Sequence, residues 1–305
     1  MVPLPPSGQQ HEIAYGEQSA TIVEVGGGVR EYFVGDRAVL DPYPLDAVCD
    51  GAHGAPLIPW PNRLADGRYS FDAADYQIAL NEPTKQNAIH GFLRWRSWQA
   101  EKREAARVVM RTMLHPLEGY PFALDVRVTY ELGAGGLTVT TSATNVGKNA
   151  CPFASGQHPY ISPGEGLIDE CELQVGAETR ILTDVERQLP TGTQAVAGTP
   201  FDFRTARRLG NLRIDFAFTD LAREGDGMAR VWLRSPDSSV VELWVDEHYP
   251  ILELYTGDTL SKPRRRRGLA AEPMTCPPNG LQTGEGLLRL EPGESTTSRW
   301  GVKLS

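Results

Sequence analysis

An all-β architecture, a large antiparallel β-sandwich, is what this chain predicts, and three features of its pattern carry that reading. Apolar and polar residues alternate with period two from end to end, no long stretch shows the 3.6-residue period of an amphipathic helix, and 31 glycines and 23 prolines punctuate the alternating segments. Short strands at such spacing pair through tight turns and stack as two sheets. The 305-residue length alone suggests about two domains, but no low-complexity linker divides the chain, so residues 1–305 are read as one domain.

The elements follow in order. "ATIVEVGGGVREYFVG" reads as strand, glycine turn, strand, and "YSFDAADYQIAL" as a strand pair meeting at an Asp-rich turn. "LDVRVTYELGAGGLTVTTSATNVG" alternates through Leu124, Val126, Val128 and Tyr130, turns at "GAGG" and resumes at Leu137 and Val139. "ARVWLRSPDSSVVELWVD" repeats that scheme around "SPDSS". A sandwich of this kind offers a concave face and end loops for ligands.

Composition removes several classes of function. With 40% hydrophobic and 23% charged residues the chain matches an average globular protein, and its formal net charge of -9 argues against nucleic acid, whose phosphates require a basic face. No run approaches the roughly 18 apolar residues of a membrane span. The start "MVPLPPSGQQHEIAYG" lacks the basic and apolar regions of a secretion signal, so the expectation is a cytoplasmic protein, monomeric or homodimeric. Cys49, Cys151, Cys171 and Cys276 include no C-x-x-C pair, which fits reduced thiols better than disulfides or zinc.

Five segments hold polar residues in unusual contexts. "IPWPNRLADGRYSF" places Trp60, a flat face for a sugar ring, beside Asn62 and Arg63, whose guanidinium offers a fixed fork of donors or simply pairs with a carboxylate. "NEPTKQNAIHGFLRWRSW" sets His90 before a glycine that permits close backbone approach, with Asn81 and Asn87 upstream and Trp95 and Trp98 downstream. In "GQHPYISP" His158 precedes proline and is therefore held extended, either aimed or merely a loop residue. "NLRIDFAFTDL" puts Asp215 within an apolar run, where a strand's polar face accounts for it equally well. "RRRRGLAAEPMTCPPNG" ends a strand with Glu272, also held extended by a following proline, after Arg264, Arg265, Arg266 and Arg267, which read as a solvated loop or an anion clamp. No metal-ligand spacing occurs among them. Together these are the residue types that acid–base chemistry on a polyhydroxylated ring uses.

Taken in order, "NRLADGRYSF", "NEPTKQNAIHGF", "GQHPY", "RIDFAF", "LELYTGDTL" and "GLAAEP" resemble the motifs of the aldose 1-epimerases, or galactose mutarotases, from about residue 56 onward. The resemblance implies a galactose mutarotase-like supersandwich, a monosaccharide substrate and no metal or organic cofactor. It also implies His158 as general acid and Glu272 as general base, with Arg63, His90 and Asp215 binding the sugar, beside Asn62 and Trp60. Glu253 stands where that family has Gln, Asp258 where it has Asn, and "PPNG" where it has "PDA", which marks a divergent branch.

Interconverting α and β anomers opens the hemiacetal: a base takes the C1 hydroxyl proton while an acid protonates the ring oxygen. Ordinary values near 4.3 for a glutamate and 6.5 for a histidine leave Glu272 ionised and His158 protonated near neutrality, with Asp215 available to raise the histidine further. A bell-shaped pH dependence centred near neutrality is the expectation. The alternatives are an epimerase of phosphorylated or other anionic hexoses, using the Arg264 to Arg267 run or Lys262 on the anion, and a non-catalytic carbohydrate-binding domain. A glycoside hydrolase needs a pair of carboxylates, which the motifs do not display.

Overall fold

A computed structural model of the chain describes residues 4–305. It is the antiparallel sandwich that the period-two pattern predicts: two large sheets of twelve and nine strands, with three two-stranded ribbons beside them. Helix among the described residues is confined to Gly280–Thr283 and three short 3-10 turns. No helix there is long and apolar enough to cross a membrane.

The hairpins fall where the turn residues put them. Gln18–Val23 pairs with Val29–Val34 across the glycine turn, Arg68–Phe71 with Ala74–Gln77, and Ala229–Arg234 with Val240–Val245 across "SPDSS". Leu124–Gly133 and Gly136–Asn145 form the longest hairpin, with ten partners in unbroken register from Leu124↔Asn145 to Gly133↔Gly136. Its inward residues Val126, Val128 and Val139 join Ile22, Tyr32, Leu252 and Leu254 of the other sheet in one apolar core between the sheets. Fully burying each such side chain contributes about 1.5–3 kcal/mol.

Three adjacent strands of the twelve-stranded sheet position the polar residues. Asp215–Leu221, Ile251–Tyr255 and Leu269–Met274 lie side by side, with Ala217 opposite Glu253 and Glu253 opposite Glu272. Alternation sends Leu252, Leu254, Leu269 and Ala271 into the main core. It sends Asp215, Glu253 and Glu272 to the other face, flanked by small apolar clusters around Ala270 and Ala217. That second face is covered too, since every residue of Ile251–Tyr255 and Leu269–Met274 is buried.

Candidate active site

Loops from the first half of the chain roof this carboxylate face and leave a cavity of about 250 Å³. Its walls include Asn62, Arg63, His90, His158, Asp215 and Glu272, six of the seven residues singled out above as catalytic or sugar-binding. Larger hollows are one of about 580 Å³ beside Arg37 and Asp237 and one of about 830 Å³ beside Val185 and Arg265, which adjoins the cavity through Asp215, Tyr255 and Thr259, but neither is lined by His158 or Glu272.

His158 sits between the short strand pieces Gly156–Gln157 and Tyr160–Ile161. Its extended backbone is fixed on both sides, the N–H donating to the Ala55 carbonyl at 3.1 Å and the carbonyl accepting from Gly54 N–H at 2.9 Å. The ring stacks on Tyr160 at 5.1 Å between centroids and meets His90 edge-on at 5.4 Å. Nε2 lies 3.3 Å from Glu272 Oε1. Glu272 lies inside its strand rather than at the exit the sequence suggests, because Pro273 continues the extended backbone opposite Leu252. His158 Nδ1 and Glu272 Oε2 are buried without a hydrogen-bond partner among the described residues.

Asn62 and His90 both adopt left-handed backbone, with φ of 54° and 64°, a conformation that costs a non-glycine residue of order 1–3 kcal/mol. The strain is held in place locally. Asn62 Oδ1 accepts from Arg63 N–H at 2.8 Å, and the two residues bond reciprocally, His90 N–H to the Asn62 carbonyl at 3.0 Å and Asn62 N–H to His90 Nδ1 at 3.2 Å. Gly91, at φ +64°, lies so close to the chain that a Cβ would stand 2.0 Å from the Ile58 carbonyl oxygen. Because His90 Nδ1 accepts, the neutral ring carries its proton on Nε2. Arg63 is gripped by Glu82, Nε to Oε2 at 2.9 Å and Nη2 to Oε1 at 3.0 Å, and Asp215 Oδ2 accepts from Gln188 at 2.6 Å.

Electrostatics in the cavity reverse the protonation expected of His158 and Glu272. Burial, then the neighbouring charges of His53 and Arg94, push His158 down to about 3. Burial, His158, Arg94 and Arg63 hold His90 well below its ordinary value. Burial, then the charges of Glu253 and Asp215, raise Glu272 well above the usual carboxylate range, with Arg63 only partly opposing. Glu253 goes the same way, to about 8, from burial and Asp215. The anticipated rise of His158 through Asp215 does not occur, since Asp215 acts on the two glutamates instead. The physical reason is that both partners lost their water: each prefers its neutral form, so the pair carries one proton, held on the carboxyl side.

Three further readings are corrected. Trp60 does not line the cavity. It is 2% exposed, packs edge-on against Phe92 at 4.9 Å in the main core, and offers no face to a sugar. Trp98 is buried with Nε1 donating to the Leu93 carbonyl, Trp95 points to solvent, and no tryptophan is among the cavity walls. The arginine run is not a uniformly solvated loop. Arg264 pairs with Asp41 at 3.0 Å, and Arg266 is buried between Asp169 at 2.6 Å and Asp258 at 3.1 Å, so acidic partners claim both. Arg265 and Arg267 are exposed.

Sequence reasoning passed over Glu253, Arg94 and Tyr160 as site residues, although all three line the cavity. Glu253 did leave a signal, a carboxylate inside the apolar run "ILELY", the same signal that drew attention to Asp215. As directly opposed residues on adjacent strands, Glu253 and Glu272 have Cβ atoms about 5 Å apart, the carboxyl pair that the motifs alone did not display. His90, His158 and Glu272 bring ligand-type atoms within 4.8 Å of one another, close enough to hold a cation. The four cysteines are free, and none lines the cavity.

Comparison with known proteins identifies the family and the fold. A family model described as aldose 1-epimerase matches residues 9–303. An Escherichia coli K12 protein, uncharacterised and designated YihR, is 36% identical over 292 residues, 94% of this chain and 91% of that protein. The aldose 1-epimerase of the same organism is 29% identical over 276 residues, 80% of this chain and 78% of that one. Among solved structures, the GalM/aldose epimerase homologue from C. elegans superposes with a TM-score of 0.86 at 19% identity, covering 97% of this chain and 98% of that one, which shows a shared fold.

Proposed function

Since the chain belongs to the aldose 1-epimerase family, we propose that it is a mutarotase interconverting the α and β anomers of a hexose, with His158 and Glu272 as its acid–base pair. One observation carries this reading: a buried imidazole and a buried carboxyl 3.3 Å apart at a cavity wall, each with a second polar atom lacking a partner among the described residues. Ring opening needs one group with a proton and one without, side by side, because the hydroxyl and the ring oxygen share the same carbon. A pair that holds a single proton in total satisfies that at any moment.

In the forward direction Glu272 takes the proton from the C1 hydroxyl, the C1–O5 bond breaks with its electron pair going to O5, and His158 delivers a proton there. Rotation about C1–C2 and return of both protons close the ring on the opposite face. A bound sugar hydroxyl donating to Glu272 favours the carboxylate and so moves the shared proton to the imidazole. His90 Nε2–H, the Arg63 fork and the Asp215 carboxylate serve to hold ring hydroxyls. No step calls on a metal or an organic cofactor.

The test is NMR exchange or polarimetry on freshly dissolved α-D-glucose and α-D-galactose. Accelerated mutarotation without bond cleavage is the expected result. Tight sugar binding without acceleration would make the protein a binding module, and release of reducing sugar from aryl glycosides would turn the Glu253–Glu272 pair into a hydrolytic one.

A further inference from the structure

Building on the epimerase reading, we propose that the sugar carries an anionic group on C6, as in a hexuronate, a hexose 6-phosphate or a 6-sulfonate, and that Arg94 is the residue that receives it.

Arg94 lies in the short turn Leu93–Trp95 and its side chain forms part of the cavity wall. Its guanidinium lies over the Trp95 ring, 5.1 Å from the centroid, and among the described residues it is the cavity-lining cation with no carboxylate partner. Arg63 and Lys85 both engage Glu82, at 2.9 and 3.4 Å, whereas Arg94 Nε is buried without a hydrogen-bond partner among the described residues. Burial depresses the guanidinium, and the only group opposing that is the Cys49 thiol, itself pushed up to about 12 and therefore uncharged. An arginine stays protonated even so, and a partly desolvated charge without a counterion is unfavourable. The Trp95 ring meets one face of the guanidinium, and no carboxylate among the described residues meets its N–H groups, which an anionic ligand would.

The location of Arg94 says where on the ligand the anion sits. Arg94 acts on His158 and His90, while the arginine felt by Glu272 and Glu253 is Arg63. His158 is thus the group that feels Arg94, the two carboxyls are the groups that feel Arg63, and His90 stands between the two arginines. His158 serves the ring oxygen, and the arm attached to the ring carbon beyond that oxygen is C6. A group on C6 is carried to the His158 side, within the domain of Arg94. Phosphate, sulfonate and carboxylate all present paired oxygens to a guanidinium fork, whereas a neutral CH₂OH leaves the cation uncompensated.

The experiment measures anomer exchange by NMR, above the uncatalysed rate, for α-D-glucose, D-glucuronate, glucose 6-phosphate and 6-deoxy-6-sulfo-glucose, with wild type, Arg94→Gln and Arg94→Lys. At least one anion is expected to exceed glucose in kcat/KM by about ten- to a hundredfold, with the margin shrinking as salt rises. Arg94→Gln should bring the anion-to-glucose ratio close to one, and Arg94→Lys should restore part of it. The three anions identify which headgroup fits. Glucose turning over as well as every anion, or an anion preference that survives Arg94→Gln, overturns the proposal while leaving the epimerase reading intact. Failure to accelerate any of the four sugars removes that reading and this one with it.

Discussion

In the nine-stranded sheet, Ala229–Arg234 and Val240–Val245 alternate buried with half-exposed residues, whereas Ile251–Tyr255 and Leu269–Met274 of the twelve-stranded sheet are buried along their whole length. On the first pair every ionisable group is outside and matched: Arg230 meets Glu242 at 3.0 Å and Asp226 and Glu224 beyond it. On the second pair the carboxyls of Glu253 and Glu272 are inside, opposite each other, and each has an oxygen with no partner among the described residues. Buried orphan polar atoms are rare in folded proteins because each costs roughly 1–3 kcal/mol. The same period-two pattern therefore yields in the frame a strand pair whose charges are matched and in the site a strand pair whose carboxyls are not, and a ligand rich in hydroxyls is the natural complement of the deficit.

The largest effects should come from breaking that site without touching the frame. Glu272→Gln and His158→Asn keep size and polarity but end proton transfer, and each should lower kcat by about 10²–10⁴-fold with the melting temperature preserved, as a mutarotation assay and calorimetry on one preparation would show. Near-normal turnover in either variant would remove that residue from the chemistry. The wild-type pH profile refines the point. His158 gains a second proton only near 3, Glu253 keeps its proton up to about 8, and burial beside Glu253 and Asp215 raises Glu272 well above the usual carboxylate range. Activity as kcat/KM should persist well into acid and fall on the alkaline side, in place of the bell centred on neutrality that ordinary values suggest. A sharp loss near pH 6.5 would show that His158 titrates as a solvated imidazole.

The converse experiment damages the frame and leaves the site alone. Leu243 is fully buried, opposite Val231 and Val302 and away from the cavity. Leu243→Ala should destabilise the fold by about 2–5 kcal/mol in denaturant titration, with kcat/KM unchanged at temperatures where the variant stays folded. Altered kinetics there would mean that the two sheets are coupled more tightly than their different burial patterns imply.

How much of this was legible beforehand follows the same division. The frame could be read strand by strand, because Val126, Val128 and Val139 announce their faces by alternation and the glycine and "SPDSS" turns fix the register. The site was readable where backbone grammar singled a residue out, as with His158 before proline and His90 before Gly91. It was opaque where identity depends on what packs overhead. Trp60 looks like a sugar platform until Phe92 is seen against it, and Arg266 looks solvated until Asp169 and Asp258 close on it. Protonation was the least legible property. It depends on burial from all sides and on neighbours remote in the chain, and Glu253, raised by burial and by Asp215 two strands' worth of sequence earlier, shows this best.

Glu253→Gln should therefore be a gain where most site changes are losses. The unfolded chain ionises Glu253 near its ordinary 4.5, the folded one only near 8. Between those values folding must take up a proton, so the wild type loses stability as pH rises through that window, and glutamine escapes the loss. The variant should be more stable than wild type by roughly 1–3 kcal/mol at pH 8 and little different at pH 4. Removing that neighbouring charge also lowers Glu272, so the alkaline limb of activity should move to lower pH. Equal stability at both pH values would mean that water reaches the Glu253 carboxyl.

The smallest effect returns to the matched surface of the frame. Arg127 meets Glu101 and Asp125, both at 2.9 Å, on a half-exposed face where water and salt already screen the charges. Exposed pairs of this kind are worth about 0.2–1 kcal/mol, so Arg127→Ala should shift the denaturation midpoint only slightly, and less again in high salt. Glu253 and Arg127 are both charged residues on strands of this sandwich, yet replacing one is expected to stabilise and replacing the other to weaken marginally. If Arg127→Ala instead cost several kcal/mol, independent of salt, the outer face of the nine-stranded sheet would have to be shielded from water in solution, and the contrast between a solvated frame and a buried site would fail at its simpler end.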